Sequence, residues 1–180
     1  VRFHKRNGGM ARFDKIRYIY SNILHRELTD TQFQFLSEKF ACLVQKNVLK
    51  APFVLGALEF LRDNYKRFPL YVVSATPEDE LRLIVEERGL AGFFRGIHGA
   101  PVKKTAHIGQ ILSETGCRKE NTVFIGDAMN DLLAAESSGI RFIGRILPGE
   151  SNNFAGNPAV EHTIGTLFEL ETILAMEAGH

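Results

Sequence analysis

Two carboxylates four residues apart, at a junction between an apolar run and a helical pattern, are the part of this sequence best equipped for chemistry. In Thr122-Val123-Phe124-Ile125-Gly126-Asp127-Ala128-Met129-Asn130-Asp131 a hydrophobic stretch leads through a glycine into Asp127, and Asp131 stands at the head of the following helix. Hard oxygen ligands at that spacing are suited to Mg2+ beside a phosphate. Helix capping by Asp131 or Asn130 accounts for one of the acids. It accounts poorly for Asp127, because a carboxylate ending an apolar strand is partly desolvated and needs a cation partner.

Two further junctions carry polar groups of the same kind. Val72-Val73-Ser74-Ala75-Thr76-Pro77 places a hydroxyl where an apolar run gives way to a helix. Ser74 and the backbone amides from Ala75 onward either bind an anion or cap that helix. In Gly99-Ala100-Pro101-Val102-Lys103-Lys104-Thr105 two lysines precede a helix whose dipole opposes a cation there. Either both are solvated or one of them points to a phosphate. A serine, a lysine and an aspartate pair at three successive strand ends together make a phosphoryl site.

The elements that must position these residues follow from hydrophobic rhythm. Short apolar runs predict strands over 70–73, 94–98, 122–125, 141–146 and 160–164. Helical spacing with glycine stops predicts helices from Pro77 to Gly89, over 105–115 ended by Gly116, over 131–138 ended by Gly139, and over 166–176. Strands alternating with helices imply an α/β fold, a Rossmann-like parallel sheet flanked by helices, in which strand carboxyl ends share one crevice. Before residue 51 the pattern is helical only. Phe13, Ile16, Tyr20 and Leu24 recur at helical spacing, and Thr29-Asp30-Thr31 caps a second helix bearing Phe33, Leu36, Phe40, Leu43 and Val44. Pro52 suits the start of a third helix running toward Tyr65, and 148–158, rich in Gly and Asn, reads as a long loop.

Composition bounds the partners. The chain has 180 residues, 44% of them hydrophobic and 24% charged, enough for one globular core of ordinary size. A formal net charge of +1 gives no electrostatic case for nucleic acid. Residues 1–50 nevertheless carry ten basic and four acidic side chains, net +6, which either solvate helix faces or draw an anionic substrate toward His4, Asn7 and Arg12. No apolar run approaches a membrane span or a signal peptide. Cys42 and Cys117 lack metal-ligand spacing and read as buried small hydrophobes in a reducing cytoplasm. His25, His107 and His162 read as structural.

On these motifs the sequence resembles the haloacid dehalogenase-like superfamily, specifically phosphoglycolate-phosphatase-like members with a helical cap. Ser74 matches the family's second motif, Lys104 its third with Lys103 as the alternative, and Gly126-Asp127 with Asp131 its fourth. Residues 1–50, with Asn7-Gly8-Gly9-Met10-Ala11-Arg12, look like the later part of the cap, and 51–180 like the core without its first strand. The resemblance implies a Mg2+-dependent phosphatase acting on a small phosphorylated metabolite through an aspartyl-phosphate. Asp127 and Asp131 would hold the metal or, for Asp131, the lysine. Ser74, Ala75 and Lys104 would bind the phosphoryl group, and Asn7 and Arg12 the substrate.

One departure is plain: the family's first motif, Asp-x-Asp, occurs nowhere among Asp14, Asp30, Asp63, Asp79, Asp127 and Asp131. With a start at Val1 in what looks like mid-cap, the expectation is that the nucleophile lies upstream, on about 40 further residues holding a strand and one or two helices. The alternatives are an inactive phosphate- or partner-binding domain, and a phosphosugar mutase on the same fold.

Overall fold

A computed structural model of the protein describes residues 12–177, with side chains as far as 174. In chain order its elements are α1 (Arg12–Tyr18), α2 (Asp30–Lys50), α3 (Ala57–Asn64), β1 (Tyr71–Pro77), α4 (Glu78–Glu87), β2 (Gly96–Ala100), α5 (Lys104–Thr115), β3 (Val123–Gly126), α6 (Met129–Ser138), β4 (Arg141–Arg145), β5 (His162–Ile164) and α7 (Leu167–Glu177). They fall into two compact units, Val1–Ala51 with Tyr71–Lys103 and Pro52–Leu70 with Lys104–His180. Asn7 and His4 lie outside the described residues.

The second unit holds a parallel sheet in the order β3-β4-β5, with Gly126 opposite Gly144 at the carboxyl ends of β3 and β4. Alternation along the strands covers both of its faces. Phe124 and Phe142 turn to one side, where Ile108 of α5 and Leu132, Ala134 and Ala135 of α6 close a cluster with Phe154. Val123, Ile125 and Ile143 turn to the other side, against Phe60 of α3 and Leu167, Leu170 and Ile173 of α7. A strand buried on both faces has no polar alternation to show, which is why these runs read as continuously apolar. The helices stop where expected, with Gly116 and Gly139 at φ of 67° and 69°, a region open to glycine without a Cβ penalty.

In the first unit β1 pairs with β2 in parallel, Tyr71 opposite Gly96 through Val73 opposite His98. Leu81 and Val85 of α4 pack on this pair with Ile97, Val72 and Phe94. Helix α2 opens with the expected cap: the Thr29 hydroxyl accepts the Gln32 N–H and the Gln32 side chain accepts the Thr29 N–H, each at 3.3 Å. None of its 21 residues is buried.

Several boundaries differ from the sequence expectation, each for a local reason. The third helix begins at Ala57 and not at Pro52, because Gly56, at φ 80°, turns the chain beside Phe168. The second strand starts at Gly96 and not at Phe94, since Ala91–Phe93 is taken up in a 3-10 turn and Phe94 packs against the Leu81 cluster. The cysteines, expected inside, are both exposed. Cys42 lies on α2 away from its half-buried side, which Phe33, Leu36, Ala41, Val44 and Val48 form, and Cys117 follows the Gly116 turn. Both units are nonetheless what alternating strands and helices imply, parallel sheets flanked by helices.

Leu132 is fully buried between β4 and α5. Leu132→Ala is expected to lower stability by about 3–5 kcal/mol, seen as a lower urea midpoint with an unchanged slope.

Candidate active site

The two carboxylates have different surroundings, and the difference assigns their work. Asp131 is the third residue of α6, and its Oδ2 accepts the backbone N–H of Ala128 at 3.1 Å, satisfying an amide that the helix leaves open. Its Oδ1 is bonded to the ammonium of Lys104. Only 7% of the Asp131 side chain and 16% of the Lys104 side chain are exposed, so this ion pair is largely withdrawn from water. Lys104 is itself the first residue of α5, where the helix dipole opposes its charge; Asp131 offsets that cost. The neighbouring Lys103 is exposed.

Gly126 is what lets the pair form. A Cβ at this position would lie 2.6 Å from the Asp131 carboxyl carbon and from Oδ2, so a side chain at residue 126 would push Asp131 off its cap. The glycine before Asp127 is thus required by close approach, not by backbone conformation.

Asp127 was expected to be the desolvated acid; the structure gives that role to Asp131. Asp127 is 48% exposed at the end of β3, and its Oδ2 is 3.8 Å from Nη1 of Arg145, beyond hydrogen-bond range. The cation that an acid at a strand end calls for is therefore present, but held loosely. Sequence reasoning missed Arg145. The signal was available, since a charged residue at the carboxyl end of a buried parallel strand falls on the side where such sheets bind ligands.

The donor set of this junction is carboxylate oxygen, which suits a hard cation such as Mg2+. Asp127, half exposed and loosely paired, is free to serve as a ligand, whereas both oxygens of Asp131 already have partners. Among the described residues there is no group of three or more His, Cys, Asp or Glu side chains that could hold a metal ion.

In the other unit, Ser74 does not cap α4, whose N-cap is Pro77. The β1–β2 register slips between Val73 and Pro77, so that Ser74 lies in a bulge. Its Oγ accepts the N–H of Thr76 at 3.1 Å and donates to the Thr76 hydroxyl at 3.2 Å. The bulge is anchored by Glu78, whose carboxylate accepts the Gly99 N–H at 3.1 Å and an Arg82 N–H at 2.7 Å. These bonds, Arg82 foremost and then Gly99, hold the Glu78 carboxyl below its ordinary range. Ala75 belongs to the same bulge. Arg12 lies in this unit as well, with both terminal nitrogens on Glu80 at 2.7 and 2.6 Å and its guanidinium over the Phe40 ring.

With this geometry in place, comparison with known proteins is decisive for the family. The model of the haloacid dehalogenase-like hydrolases matches residues 14–145. The chain belongs to the haloacid dehalogenase-like hydrolase family. A curated relative, phosphoglycolate phosphatase 1 of Pseudomonas aeruginosa, is 30% identical over 95 residues, which are 50% of this chain and 34% of that protein. The chain thus matches about a third of that relative's length. Among solved structures, a predicted phosphoglycolate phosphatase from Haemophilus somnus 129pt superposes with a TM-score of 0.74 at 19% identity, covering 94% of this chain and 79% of that one. A candidate beta-phosphoglucomutase from Thermotoga maritima does so with a TM-score of 0.66 at 18% identity, covering 97% and 82%. Likeness at such identity speaks for the haloacid dehalogenase-like fold alone.

Two outcomes follow from these contacts. Asp131→Ala strands the largely buried Lys104 ammonium and is expected to cost about 3 kcal/mol, more than Asp131→Asn, which keeps an acceptor for Ala128; urea denaturation of both variants decides. Glu78 has a lowered folded pKa, so its contribution is present above the ordinary carboxylate value and is lost as pH falls through the folded one. Glu78→Gln should therefore lower the thermal midpoint at pH 7 and narrow the gap to wild type as pH falls below about 4.

Proposed function

We propose that the chain is the greater part of a Mg2+-dependent phosphatase that hydrolyses a small phosphorylated metabolite, its nucleophilic aspartate lying upstream of Val1. The observation that carries this reading is the Lys104–Asp131 pair beside Asp127 at the end of β3. A lysine held by a buried carboxylate is fixed in position yet keeps two donors for a phosphoryl oxygen. The exposed Asp127 next to it offers oxygen to a hard cation.

In this reading Mg2+ would be held chiefly by Asp127 and would neutralise phosphoryl charge. Asp131 keeps Lys104 in place, and Lys104 stabilises charge developing on the phosphoryl oxygens. By the family resemblance Ser74 would donate its hydroxyl, here bonded to Thr76, to a phosphoryl oxygen, and Ala75 would offer its amide. Of the two carboxyls of an upstream Asp-x-Asp, one would attack phosphorus as the ester P–O bond breaks and the other would give its proton to the leaving alkoxide. That second carboxyl would then take a proton from the water that cleaves the aspartyl-phosphate to release phosphate. By the same resemblance Asn7 and Arg12 would belong to a cap segment, residues 1–50, with 51–180 as the core. Arg12 would act there by fixing that segment through Glu80. The phosphoglycolate phosphatase relative supports a small phosphate ester as substrate. The setting is cytoplasmic, without nucleic acid; no described helix is long and apolar enough to cross a membrane.

A second reading, a phosphate-binding domain without turnover, is favoured by one fact: none of the six aspartates forms Asp-x-Asp.

The test is release of phosphate from an ester panel by the protein extended upstream by about 40 residues. Mg2+-dependent turnover is expected, and Asp127→Asn should reduce it by roughly 10²–10³-fold with the thermal midpoint nearly unchanged. No turnover of any ester selects the second reading.

A further inference from the structure

Arg145 ends β4 one residue beyond Gly144, and Gly144 is the register partner of Gly126. Arg145 and Asp127 are thus the next residues along two neighbouring parallel strands, and their side chains leave the sheet on the same side. The arginine side chain is only 15% exposed. Its Nε is buried without a hydrogen-bond partner among the described residues, and Nη1 stands 3.8 Å from the half-exposed Asp127 carboxylate.

That arrangement is a poor one for stability. A buried donor left unpaired is costly, and a cation at such a distance from a solvated acid gains little. It is a good one for binding. A guanidinium presents a planar fork of donors matched to an oxyanion, and here the fork sits at the carboxyl end of a parallel strand with part of its capacity unspent. Lys104 differs, because its ammonium is already bonded to Asp131.

We propose that Arg145 is an oxyanion-binding residue of this site, taking a phosphate or phosphate ester on the donors that Asp127 leaves unused. The inference rests on the phosphoryl reading of the same junction and adds to it a residue that the motifs do not contain. When a cation occupies Asp127, the arginine loses its only nearby counter-charge among the described contacts, and an anionic ligand restores it.

Calorimetric titration of inorganic phosphate into the 180-residue chain, without metal and at fixed ionic strength, tests this. Arg145→Met should weaken phosphate binding about tenfold. Arg145→Lys, which keeps the charge and loses the fork, should weaken it about threefold. Equal affinities for wild type and Arg145→Met, or no phosphate binding by the wild type, overturn the proposal. Circular dichroism checks folding; if the methionine variant is unfolded, unchanged binding by Arg145→Lys overturns it instead. Lys104→Met separates the two claims. Binding that falls with Lys104→Met and not with Arg145→Met removes Arg145 and leaves the phosphatase reading intact, whereas binding insensitive to both removes both.

Discussion

The carboxylate of Asp131 is the point on which the site turns. One oxygen closes the open first turn of α6 through Ala128, and the other fixes a lysine that the dipole of α5 would otherwise repel. Two helix starts are thereby tied to one strand end. The tie requires Gly126, because no other residue leaves room for Asp131 against the strand. Buried ion pairs are seldom the cheapest way to stabilise a fold. Here the pair also holds an ammonium in a defined place, which a hydrophobic substitute could not do.

The apolar clusters set the frame in which that tie has a fixed length. Ile108 of α5 and Leu132 of α6 pack on the same face of the sheet as Phe124 and Phe142, so both helices start from one surface. On the opposite face Phe60 and Leu170 close the core around Ile143. With both faces covered, the carboxyl ends of β3 and β4 are where polar groups can reach solvent, and Asp127 and Arg145 stand there. With no place on the covered faces, charged side chains stand at the strand ends, Arg141 with Glu161 at the amino side and Asp127 with Arg145 at the carboxyl side, where such sheets bind ligands.

Much of this was legible in the sequence. Glycines after helical runs marked the ends of α5 and α6, and the apolar run into Gly126-Asp127 marked the strand end. What escaped depends on contacts between distant residues. The bulge at Ser74 follows from the register of β1 against β2 and from Glu78 reaching Gly99, neither visible in local pattern. The exchange of burial between Asp127 and Asp131 follows from Lys104, 27 residues away from Asp131. Arg145 stood in view at the carboxyl end of an expected strand, but its approach to Asp127 joins two strands and belongs to no local pattern. The cysteines were misplaced because Cys42 falls on the solvent side of α2, off the half-buried row of Phe33, Leu36, Ala41, Val44 and Val48, and Cys117 follows a surface turn.

The central claim is that the end of β3 is a cation and phosphoryl site, and one measurement addresses it without needing turnover. In a 15N-labelled sample of the protein, sub-stoichiometric Mn2+, a paramagnetic stand-in for Mg2+, broadens the amides around whichever carboxylates bind it. The account predicts selective loss of the signals of residues 126–131 and 144–146. Broadening centred on the acidic first turn of α4, Glu78 to Glu80, with residues 126–131 unaffected, would contradict it.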